Sequence, residues 1–97
     1  MISIKSDSID RLFEVIMKLD NLDECYSFFE DLCTVKEVKD MAQRFDAAIM
    51  LNQGEHYQEV SEKIGISSAT ISRVSKCLNY SEGYKMAISK LNEKKDK

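Results

Sequence analysis

The sequence contains no proline and no tryptophan, and it has only three glycines among its 97 residues. So few breakers of regular structure favour helices joined by short turns and exclude a collagen-like or turn-rich β architecture. No apolar run approaches the roughly 18 residues of a membrane-spanning helix, and the first residues lack the apolar stretch of a signal peptide. The length predicts a single domain over residues 1–97. The lack of both apolar segments predicts no contact with a membrane, and the few unpaired cysteines favour the cytoplasm.

Cysteine and histidine, the residues that most often hold metals or act as nucleophiles, are also scarce. The three cysteines, Cys25, Cys33 and Cys77, show no CxxC spacing, so we expect reduced thiols and no zinc site or other metal. An enzyme using Cys33 or Cys77 with His56, the only histidine, would need an orienting acid, and no such motif accompanies them. The sequence therefore predicts a protein without catalytic activity or cofactor.

Positive charge is lacking overall but not locally. The net charge is −3, which gives no global argument for nucleic-acid binding. Residues 1–34 carry three basic and eight acidic side chains, whereas residues 63–81 carry three basic side chains and no acidic one. This asymmetry suggests that one face of the molecule meets an anion.

Apolar residues recur at helical spacing along the whole chain, which predicts an all-α fold of about six helices. Thr34 and Glu37 form a capping-box pattern before the third and longest helix. The lysine-rich segment 92–97 is predicted to be a frayed tail. The predicted helices cover, in order, Ile9–Leu19, Leu22–Cys33, a segment from the capping box to Asn52, Tyr57–Ile64, a segment capped by Ser67 that ends near Leu78, and Tyr84–Leu91.

The first three predicted helices have wide apolar faces for so short a chain. They carry all four phenylalanines, Phe13, Phe28, Phe29 and Phe45. Apolar patches of that size are usually covered, so we expect a second copy of the chain to close the core as a homodimer.

The segment Tyr57–Leu78 has the pattern of a helix-turn-helix. Gly65 suits the turn, Ile66 would fill the elbow, and small Ser61 would allow the two helices to approach each other. Four apolar residues would pack these helices inward, namely Val60, Ile64, Ile71 and Val74. The remaining face of the second helix is predicted to be outward, and it consists of Ser67, Ser68, Ala69, Thr70, Ser72, Arg73, Ser75 and Lys76.

These outward residues are small, hydroxylated or basic, and none is acidic. A helix that enters the major groove needs small side chains for close approach and few carboxylates, so the pattern predicts binding to double-stranded DNA. Ser68 and Thr70 are the first candidates for base-edge or phosphate contacts, Ala69 for a thymine methyl, and Gln58 and Lys76 for phosphates. The alternative is a helical dimeric adaptor that binds a protein partner through its acidic front and has no specific DNA binding.

Beyond the hairpin, several motifs resemble the Trp repressor family, in particular its YerC/YecD-type branch. They are Leu32-Cys-Thr-Val-Lys-Glu37, Gln43-Arg44, Leu51-Asn-Gln-Gly-Glu55 and Ser68-Ala-Thr-Ile-Ser-Arg73. The resemblance covers about residues 22–91 in order and spacing. It implies an intertwined, all-helical homodimer that acts as a transcriptional regulator, by expectation a repressor, on a palindromic operator.

The resemblance also implies an amino-acid corepressor. In the Trp repressor two arginines sandwich the ligand, and the matching positions here are Arg44 and Arg73. Thr34 matches a threonine that contacts the ligand carboxylate, and Cys77 replaces a serine that meets its amino group. An arginine offers a planar fork to a carboxylate and a flat face to a ring, which makes these roles chemically reasonable.

Three departures from the family pattern bear on that ligand. Val74 stands where the Trp repressor has glycine, and its branched side chain would narrow the expected pocket. Cys77 is a weaker hydrogen-bonding group than serine, and the segment between Gly54 and Val60 is one residue shorter. The sequence thus leaves open whether the effector is tryptophan, histidine or another amino acid, or whether there is none.

Overall fold

The computed structural model of the chain describes residues 4–93, which form six α-helices and no β-strand within that range. The prediction of an all-α chain of about six helices is confirmed. The fifth helix continues two residues past its predicted end. The tail predicted over 92–97 begins at the last residue of the sixth helix, and 94–97 lie outside the described residues. The helices are α1 (Asp7–Met17), α2 (Leu22–Leu32), α3 (Val35–Asn52), α4 (Tyr57–Ile64), α5 (Ser68–Tyr80) and α6 (Gly83–Asn92).

Contacts within the chain divide it into two compact units, Met1–Val38 and Lys39–Lys97. The first, called the N-terminal unit below, contains α1, α2 and the first turn of α3. The second, called the C-terminal unit, contains the rest of α3 together with α4, α5 and α6.

Side-chain caps define where the helices of the N-terminal unit begin. The side-chain oxygens of Ser6, Asn21 and Thr34 each accept a hydrogen bond from the backbone N–H three residues later, at 2.9 to 3.1 Å. The Glu37 carboxylate accepts in return from the N–H of Thr34 at 2.8 Å, which confirms the predicted capping box. These bonds satisfy backbone donors that have no partner inside the helix.

The apolar faces of the N-terminal unit remain accessible within the single chain. No residue of α1 or α2 is buried, and Met17 and Leu22 expose 79% and 74% of their surface. Phe28 and Phe29 are partly buried and contact each other edge to face, with ring centroids 5.5 Å apart. The wide apolar faces seen in the sequence are thus present as surfaces.

The C-terminal unit, by contrast, encloses a core of its own. α5 packs against both α4 and α6, and Phe45 of α3 stacks on Tyr84 of α6 with ring centroids 6.5 Å apart. This core fixes the position of α5, the helix that carries most of the predicted DNA contacts. The buried core residues are Ala47, Ala48, Val60, Ile71, Val74, Leu78 and Ile88.

Candidate nucleic-acid interface

The turn between α4 and α5 is fixed by a glycine and a serine. Gly65 has φ +83°, a left-handed conformation that glycine adopts readily, and its N–H donates to the Ser61 carbonyl at 2.8 Å. The Ser61 hydroxyl donates to the carbonyl of Ile66 at 2.6 Å. Ser61 thus ties the end of α4 to the residue after Gly65, which sets the direction in which the chain enters α5.

The start of α5 is organised by two hydroxyl groups. The Ser67 hydroxyl accepts from the N–H of Thr70 at 3.2 Å and caps the helix, as predicted. The same oxygen lies 3.0 Å from the hydroxyl of Thr70, with which it shares a hydrogen bond. Both side chains are therefore ordered before any ligand arrives, and Ser67 combines its predicted DNA contact with a capping role.

The predicted DNA-contact residues form two groups by exposure. Thr70 and Ser72 are partly buried on α5. The others are exposed, and they are Gln58 on α4 and Ser67, Ser68, Ala69, Arg73 and Lys76 at the turn and on α5. All eight belong to the C-terminal unit, and the exposed part of the α5 surface carries no acidic side chain up to Lys76.

Ser75 was predicted to face outward, and this prediction is wrong. Its side chain is buried, with 9% of its surface exposed. Ser75 follows Ile71 by four residues and precedes Leu78 by three, so it lies on the stripe that faces the core. Because α5 packs against α6 as well as α4, the buried arc of the helix is wide enough to include it.

A cleft lies where α4 meets the start of α5, with a volume of about 260 Å³. It unites Gln58 and Ser68, two predicted DNA-contact residues from different helices. Ser61 and Ile71, predicted to pack the hairpin, also line it, whereas the sequence analysis did not single out Tyr57 and Glu62. Glu62 adds a negative charge to the cleft. The full lining is Tyr57, Gln58, Ser61, Glu62, Ser68 and Ile71.

One of the three basic residues of the acid-free segment 63–81 is engaged within the protein. The Lys63 ammonium donates to the Glu55 carboxylate at 2.9 Å. This hydrogen bond and the negative charge of Glu55 raise the pKa of Lys63 above its ordinary value. Lys63 therefore links α4 to the segment just before it, and it contributes less positive charge to a DNA surface than the sequence count suggested.

Within residues 4–93 no group of three or more histidine, cysteine or acidic residues is placed to hold a metal ion. Cys25, Cys33 and Cys77 are free thiols. None of the helices in the described part of the chain is both long and apolar enough to cross a membrane.

Comparison with known proteins shows to which family the chain that carries α4 and α5 belongs. The family model described as Trp repressor protein matches residues 7–92, which include all six helices. The chain belongs to the Trp repressor family. The resemblance seen in the sequence is thereby confirmed, and the matched region extends beyond both ends of the stretch that carried the resemblance.

Individual relatives agree with the family model. The Bacillus subtilis (strain 168) protein YerC, itself described as uncharacterized, is 44% identical over 91 residues that cover 93% of this chain and 88% of YerC. The crystal structure of a TrpR-like protein from Eubacterium eligens ATCC 27750 has a TM-score of 0.87 and 41% identity, over 96% of this chain and 97% of that one. A candidate Trp repressor from Staphylococcus aureus has a TM-score of 0.87 and 38% identity, over 96% and 94% of the two chains.

The four positions that match effector contacts of the Trp repressor lie on different elements. Arg44, on α3, and Cys77, on α5, are partly buried, whereas Arg73 is exposed one turn before Cys77. These three belong to the C-terminal unit, while Thr34 lies in the N-terminal unit and uses its hydroxyl as a cap for α3. None of the four lines the cleft between α4 and α5, so the effector site stays a prediction.

Proposed function

We propose that this protein is a sequence-specific DNA-binding regulator of transcription, a repressor that binds a palindromic operator as a homodimer. The observation that carries the proposal is the start of α5, whose exposed residues are small or basic and are ordered by the Ser67 cap and the Ser61 turn bond. Small residues permit close approach to the major groove, and Arg73 and Lys76 supply positive charge. Membership of the Trp repressor family supports the same conclusion.

The homodimer is part of this proposal because one copy leaves the apolar faces of α1 and α2 accessible. A dimer on two half-sites needs its recognition helices about 34 Å apart, one turn of DNA. Two copies also double the number of phosphate contacts, which matters for a chain whose net charge is negative. Such a regulator would act in the cytoplasm, at the nucleoid.

The first test selects fragments of genomic DNA on the purified protein and sequences them. We expect a two-fold symmetric motif. Lys76→Ala should weaken binding to the motif and to other DNA sequences alike, because it removes a phosphate contact. The slope of log affinity against log salt concentration should fall in magnitude by about 1. Thr70→Ala should lower the affinity for the selected motif while leaving the salt slope unchanged, because it removes a base-edge contact.

Lys85→Ala serves as the matched control, since Lys85 is an exposed lysine on α6 outside the hairpin. Unchanged affinity in both the Lys76 and Thr70 variants would remove the assignment of these residues. Recovery of no motif by the wild-type protein would contradict DNA regulation and favour the adaptor that binds a protein partner.

We further propose that a free amino acid, with tryptophan and histidine as the first candidates, modulates DNA binding through Arg44, Arg73, Thr34 and Cys77. A ligand that bridges α3 and α5 would favour one orientation of the recognition helix. The test repeats the DNA titration with L-tryptophan, with L-histidine and with a mixture of amino acids. Arg44→Ala should lose any ligand-dependent gain and keep basal binding, whereas a full ligand response in that variant would contradict the site.

A further inference from the structure

The cleft between α4 and α5 contains one carboxylate at the surface that the proposed function assigns to DNA. Glu62 and Ser68 line it from opposite sides of the turn, and Gln58 lies one helical turn before Glu62. Ile71, with 1% of its surface exposed, forms the apolar floor, while Gln58, Glu62 and Ser68 are exposed. The exposed groups therefore form the rim, where a DNA base edge or phosphate would arrive.

Among the residues that line this cleft, Glu62 is the one acidic side chain. Residues 63–81 carry no acidic side chain, and Glu62 lines the same cleft as Ser68 from the other side of the turn. Lys63, the neighbour of Glu62 in sequence, is engaged with Glu55 at 2.9 Å. A negative charge at this position opposes binding to phosphates, so it weakens general DNA affinity unless it is matched by a donor.

The chemistry of a carboxylate limits which donor can match it. An ionised carboxylate only accepts hydrogen bonds, so guanine O6 and N7 and thymine O4, which are acceptors, repel it. Adenine offers its N6 amino group, but the adjacent N7 acceptor would face the second carboxylate oxygen. Cytosine offers its N4 amino group beside a C–H, which leaves no opposing acceptor.

We infer that Glu62 is a specificity-determining residue that accepts a hydrogen bond from the N4 amino group of a cytosine in each operator half-site. The inference rests on the proposed function and adds to it one base position and one residue. Specificity arises here mostly by exclusion, because a wrong base leaves the carboxylate desolvated and facing an acceptor. The expected preference for cytosine is about 5- to 150-fold, the range for a good base contact.

The experiment compares DNA selection by the wild-type protein, Glu62→Gln and Glu59→Gln. A glutamine pairs with adenine through N6 and N7, so Glu62→Gln should change the preferred base from cytosine to adenine at one position of each half-site. Glu59→Gln is the matched control, because it removes the same charge from an exposed position of α4 that does not line the cleft. The control should select the wild-type motif.

Competition titrations with the selected operator and its single-base variants then give the size of the preference. Two outcomes would overturn the inference while leaving DNA regulation intact. One is an unchanged base preference in Glu62→Gln. The other is a uniform gain in affinity on all sequences that equals the gain in Glu59→Gln, which would mean that Glu62 acts only through its charge. Absence of any motif for the wild-type protein would overturn the proposed function and this inference together.

Discussion

The two units of the chain are stabilised by different means. In the N-terminal unit every helix start has a side-chain cap, formed by Ser6, Asn21 and Thr34, yet no residue of α1 or α2 is buried. In the C-terminal unit α4 and α6 begin without a side-chain cap bond, but each contributes a buried residue, Val60 and Ile88 respectively. Local hydrogen bonds define the helices of the first unit, and burial of side chains holds the second.

This contrast bears on what the chain needs in order to fold. Helices of 11 residues, the length of α1 and α2, are marginal in water when they stand alone, because nucleation costs more than a few backbone bonds return. Caps contribute about 1 kcal/mol each, which is too little without apolar contacts. The difference between the units therefore supports the proposal that a second copy covers α1 and α2, whereas the hairpin is supported from within one chain.

The largest expected effect lies in the core of the C-terminal unit. Ile71→Ala should lower the free energy of unfolding by about 2–5 kcal/mol, because Ile71 is 1% exposed and its loss leaves a cavity between helices. Urea denaturation followed by circular dichroism, at one fixed protein concentration, measures it. Tyr80→Ala on the same helix is the control, since Tyr80 is 85% exposed and should change stability by less than about 0.5 kcal/mol. Equal losses in the two variants would contradict this core.

The next largest expected effect is on dimer dissociation, and it tests whether a second copy covers the N-terminal unit. Met17→Gln keeps the length of the side chain but removes its apolar end from α1. If a second copy buries Met17, the dimer should dissociate at least about 100-fold more readily, because each of the two copies loses burial of roughly 1.5–3 kcal/mol. Sedimentation equilibrium measures the dissociation constant.

Glu14→Gln is the control for that experiment, because position 14 of α1 is already polar and exposed. Identical dissociation constants for both variants and the wild type would exclude Met17 from the interface. A wild-type protein that sediments as a folded 11.2 kDa particle at micromolar concentration would contradict the homodimer itself.

Local rules explain why much of the fold could be predicted from the sequence. The capping box of Thr34 and Glu37, the left-handed turn at Gly65 and the cap at Ser67 each depend on residues within four positions of one another. Such features follow from hydrogen-bond geometry alone, so their positions were correct. The inward placement of Ile71 followed in the same way from helical spacing.

Features that depend on packing between several helices were harder to predict from the sequence. The polarity of Ser75 favours an outward position, but α5 packs against two helices, α4 and α6, and Ser75 is buried. Glu62 was missed because the acid-free segment was counted along the chain from Lys63, whereas the cleft crosses the turn and reaches back to α4. A count of charges along one segment leaves out residues outside that segment, although the turn between two helices can place such residues on the same surface.

Removal of a side-chain cap should have a smaller effect on the free energy of unfolding. Asn21→Ala should lower the free energy of unfolding by about 1 kcal/mol, because it removes the bond to the N–H of Glu24 at 2.9 Å. His56→Ala, at the corresponding position of α4, should change stability by less than about 0.5 kcal/mol, since His56 makes no side-chain cap bond. Amide hydrogen exchange in the first turn of each helix locates the change. Asn21→Ser should restore protection, and equal effects at the two caps would contradict the contrast between the units.

The smallest effect concerns the ion pair of Lys63 and Glu55. Lys63 is exposed and Glu55 is partly buried, so solvent and salt still screen the pair, and Lys63→Gln should lower the melting temperature only slightly at low salt. Because Glu55 raises the pKa of Lys63 in the folded state, the stabilisation is fully present below the ordinary lysine pKa. It is lost as the pH rises through the raised value. The difference between wild type and variant should therefore be constant near neutral pH and close in strongly alkaline buffer, where Lys63 loses its proton. Lys85→Gln on α6 is the control, and a difference that persists in strongly alkaline buffer would contradict the assigned pair.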